Sequence, residues 1–255
     1  MRNIWTITKK ELKTFLYSPI AYILTAFFLM VSGFFFYNIL AWANDQTMRA
    51  MQSGYGLERL NINQMLFQPF FSNMTIILMF LLPMLTMRLF ADEKKMRTEE
   101  LLFTSPVRLS SIIIGKYLAA LIIYALILLL TATYAVFVFV HGNPEALPLL
   151  VAYLGLFLLG AVFIAIGLFA SALTENQVIA AVISFSAIML IWVISWVGES
   201  GPGAWQGILT YLSFFSHFKN MASGVIDTQD IVYYLSFIFL GLYLTRSVFE
   251  FRKWR

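Results

Sequence analysis

Apolar residues dominate six stretches of this chain, at about 20–41, 71–90, 112–140, 148–171, 178–198 and 231–246. A helix needs about 20 residues to cross a hydrocarbon core of roughly 30 Å, and the runs are spaced for six such crossings. The third run is the longest and is expected to tilt or protrude. Pro83 interrupts the second, where a kink is tolerable because neighbouring helices can satisfy the freed carbonyl. The first run starts near Pro19 and lacks a small-x-small cleavage site after it, so it is expected to stay in the mature protein.

The polar intervals carry patterns of their own. On a helical wheel of residues 2–16, Ile4, Trp5, Ile7, Leu12, Phe15 and Leu16 share one arc, and Arg2, Thr6, Lys9, Lys10 and Lys13 share the other. Glu11 is the exception on the apolar side. This predicts a basic amphipathic helix in the membrane interface, either anchoring the first span or acting as a lever that shows its polar face to a partner. Between the second and third spans, residues 91–106 read as a short charged helix or a solvated loop. Asp92 and Glu93 suit a helix N-terminus, Glu93 and Arg97 stand four residues apart, and Ser105-Pro106 ends the helix. Residues 42–69 read as a polar outer loop. Residues 199–230 open with Gly201-Pro202-Gly203, turn aromatic, and predict a short helix or re-entrant hairpin below spanning length. The predicted fold is an all-α integral membrane protein: an interfacial helix over 1–19 and a six-helix transmembrane domain over 20–255, with short external helices before span six.

Composition agrees with that reading. Hydrophobic residues make up 60% and charged residues 12%, with mean hydropathy +0.81. Soluble domains carry roughly 25% charged residues, and one soluble core of this length could not bury so much apolar surface. The absence of cysteine excludes disulfides, thiolate metal sites and a cysteine nucleophile. Fourteen of the seventeen Lys and Arg residues fall in the N-terminal segment, the loop between spans two and three, and the C-terminal tail; Arg49, Arg59 and Lys219 fall on the other side. The positive-inside rule then places both termini in the cytoplasm. Tyr37, Trp42, Trp192, Trp196, Trp205 and Trp254 lie at span ends, where amphipathic rings favour the headgroup level.

Candidate chemistry narrows the function. Acid, base and histidine are missing from the middles of the spans, and Arg88, Lys116 and Arg246 near inner ends are expected to snorkel. That leaves no proton relay, buried ion site or intramembrane catalytic set, so energy is expected to enter from outside the membrane. Gly155, Gly160, Ala161, Ala165 and Gly167 give span four a small-residue surface, and Ser184, Ser186 and Ser195 put hydroxyls in span five; these fit internal packing, a substrate path or a dimer seam. His141 and His217, without a set of acidic partners, make a poor metal site. No phosphate-cradling loop is present, and Gly115-Lys116 lacks the earlier glycine of one, so no ATP hydrolysis is expected on this chain.

The stretch F-A-D-E-K-K-M-R-T-E-E-L-L-F-T-S-P-V-R-L-S-S-I-I-I-G-K, residues 90–116, closely resembles the loop between spans two and three of ABC-2 type permeases, with Glu100, Leu101, Leu102, Pro106, Val107, Gly115 and Lys116 matching in place. The runs at 9–22 and 217–237 look most like the gliding-motility-associated permease subgroup, although Lys219 stands where an acid is usual. The resemblance implies a half-transporter of the bacterial inner membrane whose partners are cytoplasmic ABC ATPase subunits, a second or homologous permease copy, membrane lipid and, optionally, a periplasmic auxiliary protein, with no nucleic acid. ATP and Mg would sit on the ATPase, with no cofactor on this chain. By resemblance, Asp92, Glu93, Lys94, Arg97, Glu99, Glu100, Leu101 and Leu102 form the helix that couples to the ATPase, and Lys9, Lys10 and Lys13 face it from the interfacial helix. The implied function is substrate export or extrusion; the alternative is mechanotransmission to a periplasmic partner without solute transport.

Overall fold

The structure, a computed structural model, describes residues 2–52, 63–98, 107–142, 144–200 and 206–253. Its helices are α1 (Arg2–Tyr17), α2 (Pro19–Gln52), α3 (Gln68–Thr86), α4 (Arg88–Lys95), α5 (Leu109–His141), α6 (Ala146–Leu173), α7 (Gln177–Ser200), α8 (Gln206–Leu212), α9 (Phe214–Ala222) and α10 (Thr228–Lys253), with one π-helical turn, Asn63–Phe67, leading into α3. Among the described residues, six helical stretches are long and apolar enough to cross a membrane. Each contains one of the six runs expected from sequence. The helices outlast the apolar runs, because hydrogen bonding continues where hydrophobicity stops. At about 1.5 Å per residue, α2 with its 34 residues is about 51 Å long and projects past any bilayer core. Residues 42–52, expected as loop, extend this helix beyond its apolar run, and there Asp45 pairs with Arg49 at 2.9 Å.

The helices α3 and α6 are mostly buried, whereas most residues of α2, α7 and α10 are at least partly exposed. α6 is therefore the central post, touching α3, α4, α5, α7, α9 and α10. Its small residues are used for packing within the chain. A Cβ at Gly160 would stand 2.3 Å from the Tyr124 ring, and the absence of one lets the Tyr124 hydroxyl donate to the Leu156 carbonyl at 2.6 Å. Tyr117 repeats the device about two turns earlier on α5, donating to the Ala161 carbonyl at 3.1 Å.

The expected hairpin before the last span is two short helices, α8 and α9, divided at Ser213, whose hydroxyl accepts from the Ser216 amide at 3.2 Å. α9 buries Phe214, His217, Phe218 and Met221 against α6 and its neighbours. Trp205 and Trp254 lie outside the described residues, as does the side chain of Trp196; Tyr37 and Trp42 are exposed.

Candidate coupling site

Gly115 and Lys116, in the second turn of α5, organise one end of the molecule. A Cβ at Gly115 would stand 2.8 Å from Ile7, so its absence lets α1 lie against α5. The Thr8 hydroxyl then reaches the Gly115 carbonyl at 3.1 Å. Lys116 was expected to snorkel to water. It is instead only 2% exposed, and its ammonium turns inward to Glu11 at 3.0 Å, Glu93 at 2.8 Å and the Leu89 carbonyl at 2.7 Å. The Phe90 ring lies 5.2 Å from the same nitrogen. Two carboxylates and a carbonyl satisfy all three ammonium donors, and this is what makes burial of the charge tolerable. Lys10 approaches the same two carboxylates at 3.7 and 3.8 Å from the solvent side.

This cluster accounts for Glu11, the misfit on the apolar arc of α1. The inward stripe of that helix runs through Ile4, Ile7, Thr8, Glu11, Leu12 and Phe15, while Trp5 and Leu16 stay exposed. The helix therefore has three faces: one packed on α5, one apolar and open, and one basic.

α4 begins at Arg88, directly after α3, and not at the acidic pair; Asp92 and Glu93 lie in its middle. Pro83 cannot donate within α3, and the two helices part at Met87. Met87 has no capping side chain, so Ser171 of α6 takes over: its hydroxyl donates to the Met87 carbonyl at 2.8 Å and accepts from the Phe90 and Ala91 amides, each at 3.0 Å. Lys94 is buried, donates to the Ala172 carbonyl at the C-terminal end of α6, and lies 5.4 Å from the Phe249 ring of α10. Asp92 accepts from Gln177 of α7. Arg88 donates to the Ser18 hydroxyl at 2.6 Å and covers the Phe15 ring. One eight-residue helix is thus tied to α1, α5, α6, α7 and α10. The expected Glu93–Arg97 pair does not form, because Glu93 is committed to Lys116.

The end of α4 also differs from expectation. It stops at Lys95, with the Thr98 amide bonded to the Glu93 carbonyl and the Arg97 amide to the Lys94 carbonyl. That is a Schellman turn, with Arg97 at φ 54° in the left-handed position usually given to glycine. Lys95, Met96 and Arg97 are exposed at this tip. Glu99, Glu100, Leu101, Leu102 and Ser105-Pro106 lie outside the described residues.

The family model described as "ABC-2 family transporter protein" matches residues 5–249. The chain belongs to the ABC-2 transporter family. Comparison with curated proteins gives no match. As an ABC-2 permease it is a multi-pass membrane protein and the transmembrane component of its transporter, the component that lacks the ATPase domain; ABC-2 permeases work with ABC ATPase subunits. Among the described residues no group of three His, Cys, Asp or Glu side chains could hold a metal.

Of the residues implied by resemblance, this permease gathers Asp92, Glu93, Lys94 and Arg97 on or beside α4, and leaves Lys9, Lys10 and Lys13 exposed along α1. Asp92, Glu93 and Lys94 point into the protein, whereas Arg97 and the three lysines point out. Sequence reasoning missed Ser171 and Gln177, which carry no local signal, and undervalued Glu11 and Lys116. At the opposite end, His217 meets Asp230 at 2.5 Å and the Tyr211 carbonyl at 3.0 Å, and stacks on Tyr233. This buried brace fastens α9 to α10; its acid lies thirteen residues away, beyond the reach of a spacing argument.

Proposed function

We propose that this permease converts ATP hydrolysis on separate cytoplasmic ABC ATPase subunits into export or extrusion of a substrate, with α4 and the segment after it as the coupling element. The observation that carries this is the joining of α4 to five other helices, by ionic and hydrogen-bonded contacts to α5, α6 and α7 and by cation–π contacts to α1 and α10. A push on its exposed tip would move α1, the start of α5 and the central post α6 together. The same end carries most of the basic residues, which supports placing it and both termini in the cytoplasm of a bacterial inner membrane. Glu99, Glu100, Leu101 and Leu102 continue from that tip and would meet the ATPase, flanked by Lys9, Lys10 and Lys13. ATP and Mg would be held by the ATPase, and the substrate path would form against a second permease copy. The runs at 9–22 and 217–237 support membership of the gliding-motility-associated subgroup.

Charge reversal of Glu99 and Glu100 to Lys should abolish substrate-linked ATP hydrolysis in a reconstituted complex while leaving the basal rate of the ATPase. Unchanged substrate-linked hydrolysis would refute the coupling assignment. The alternative, mechanotransmission to a periplasmic protein, is favoured by one observation: the helical extension of α2 to Gln52, which offers such a partner a handle. Movement of any solute in sealed vesicles would exclude it.

A further inference from the structure

A groove of about 830 Å³ opens between α1 and the start of α4, at the corner where the chain enters the first span. Lys9, Lys10 and Lys13 form its rim, with Arg88, Tyr17 and Ser18 among the other lining residues; none of the lining residues is acidic. Glu11 and Glu93 offset the charges of Lys116 and Lys10. Lys9, Lys13 and Arg88 have no carboxylate within 4 Å among the described residues, and Asp92 and Glu11 act on Arg88 only from beyond that distance. The Arg88 guanidinium is half-buried, and its Nη1 is bonded to a neutral hydroxyl. A recessed guanidinium ringed by ammonium and hydroxyl groups suits a phosphate oxyanion, which Arg can bind through two parallel hydrogen bonds. Its neighbours face lipid: Tyr17 and Leu16 are exposed on the turn before Pro19 opens the first span. Basic residues beside a span attract anionic headgroups by about 1 kcal/mol each.

We infer that this groove binds the phosphate of an anionic phospholipid, which fixes α1 and, through Arg88, the root of the coupling helix. The inference rests on the orientation proposed above but not on ATPase docking. The test uses the purified full chain in neutral detergent, wild type and Arg88→Gln/Lys13→Gln, with phosphatidylglycerol, phosphatidylcholine or inorganic phosphate added. Phosphatidylglycerol at about a hundredfold excess over its Kd should raise the wild-type unfolding midpoint by about 5–10 °C, and phosphatidylcholine should not. The double variant should lose that shift. An equal shift from inorganic phosphate would keep the phosphate site and assign it to the free anion. If the double variant does not fold, Lys9→Gln/Lys13→Gln, both at exposed positions, should reduce the shift. Equal shifts in wild type and variant, or no shift in wild type, would overturn the inference. So would a variant that retains the shift but no longer binds the ATPase, since the groove would then belong to the docking surface. Failure of the wild type to bind the ATPase would refute docking and leave the lipid result standing.

Discussion

Lys116 is the residue on which the basic end of the permease turns. It balances Glu11 and Glu93, both largely removed from water, and one oxygen of Glu93 is buried with no protein partner. Removing the cation therefore leaves buried negative charge without compensation, whereas removing all three charges does not. Lys116→Met should destabilise the protein by about 3–5 kcal/mol, read as a lower unfolding midpoint in detergent. Adding Glu11→Gln and Glu93→Gln to that variant should recover most of the loss. Full stability of Lys116→Met alone would show that the cluster is electrostatically idle. The members of this cluster were visible singly in the sequence: Glu11 as the misfit of an amphipathic arc, Lys116 as half of a matched Gly-Lys pair. Their partnership was not, because 105 residues separate them and only the packing of α1 on α5 brings them together.

Among the elements, α4 departs furthest from the expected boundaries. Charge pattern pointed to a helix beginning at Asp92 and ending at Ser105-Pro106. The helix runs from Arg88 to Lys95, because Ser171 caps its start from another helix and a left-handed residue closes its end. Neither cause is local in a way that periodicity can register. α9 ends in the same Schellman geometry, with Gly224 at φ 86° where α4 has Arg97. Left-handed backbone costs a residue with a side chain about 1–2 kcal/mol, and a β-branched one more. Amide hydrogen exchange at Met96–Thr98 should therefore slow in Arg97→Gly and quicken in Arg97→Val relative to wild type. The reverse order would show that the turn is not set by this residue. The six spans, by contrast, were legible, since the demand for about 20 apolar residues overrides local detail. Their polar extensions, such as 42–52 of α2, were not, because hydrophobicity does not mark where a helix continues into water.

At the scale of the molecule, the permease has a buried post, α6, a lipid-facing set of helices, and one end where α1, α4 and the ends of the spans are locked together by charge. No apolar pattern along the chain indicates which span is central; the glycines of α6 did, once Tyr124 was found against Gly160. Under the proposed function, an ATPase subunit pushes on the locked end. The chain contains no cysteine, so a single introduced thiol reports on one place only. Met96, 74% exposed at the tip of α4, and Trp42, 50% exposed on the C-terminal part of α2, mark opposite ends. In sealed vesicles carrying the permease–ATPase complex, Met96→Cys should crosslink to the ATPase through a short bifunctional reagent, and Trp42→Cys should not. A crosslink from Trp42→Cys, or none from Met96→Cys in an assembled complex, would contradict the account.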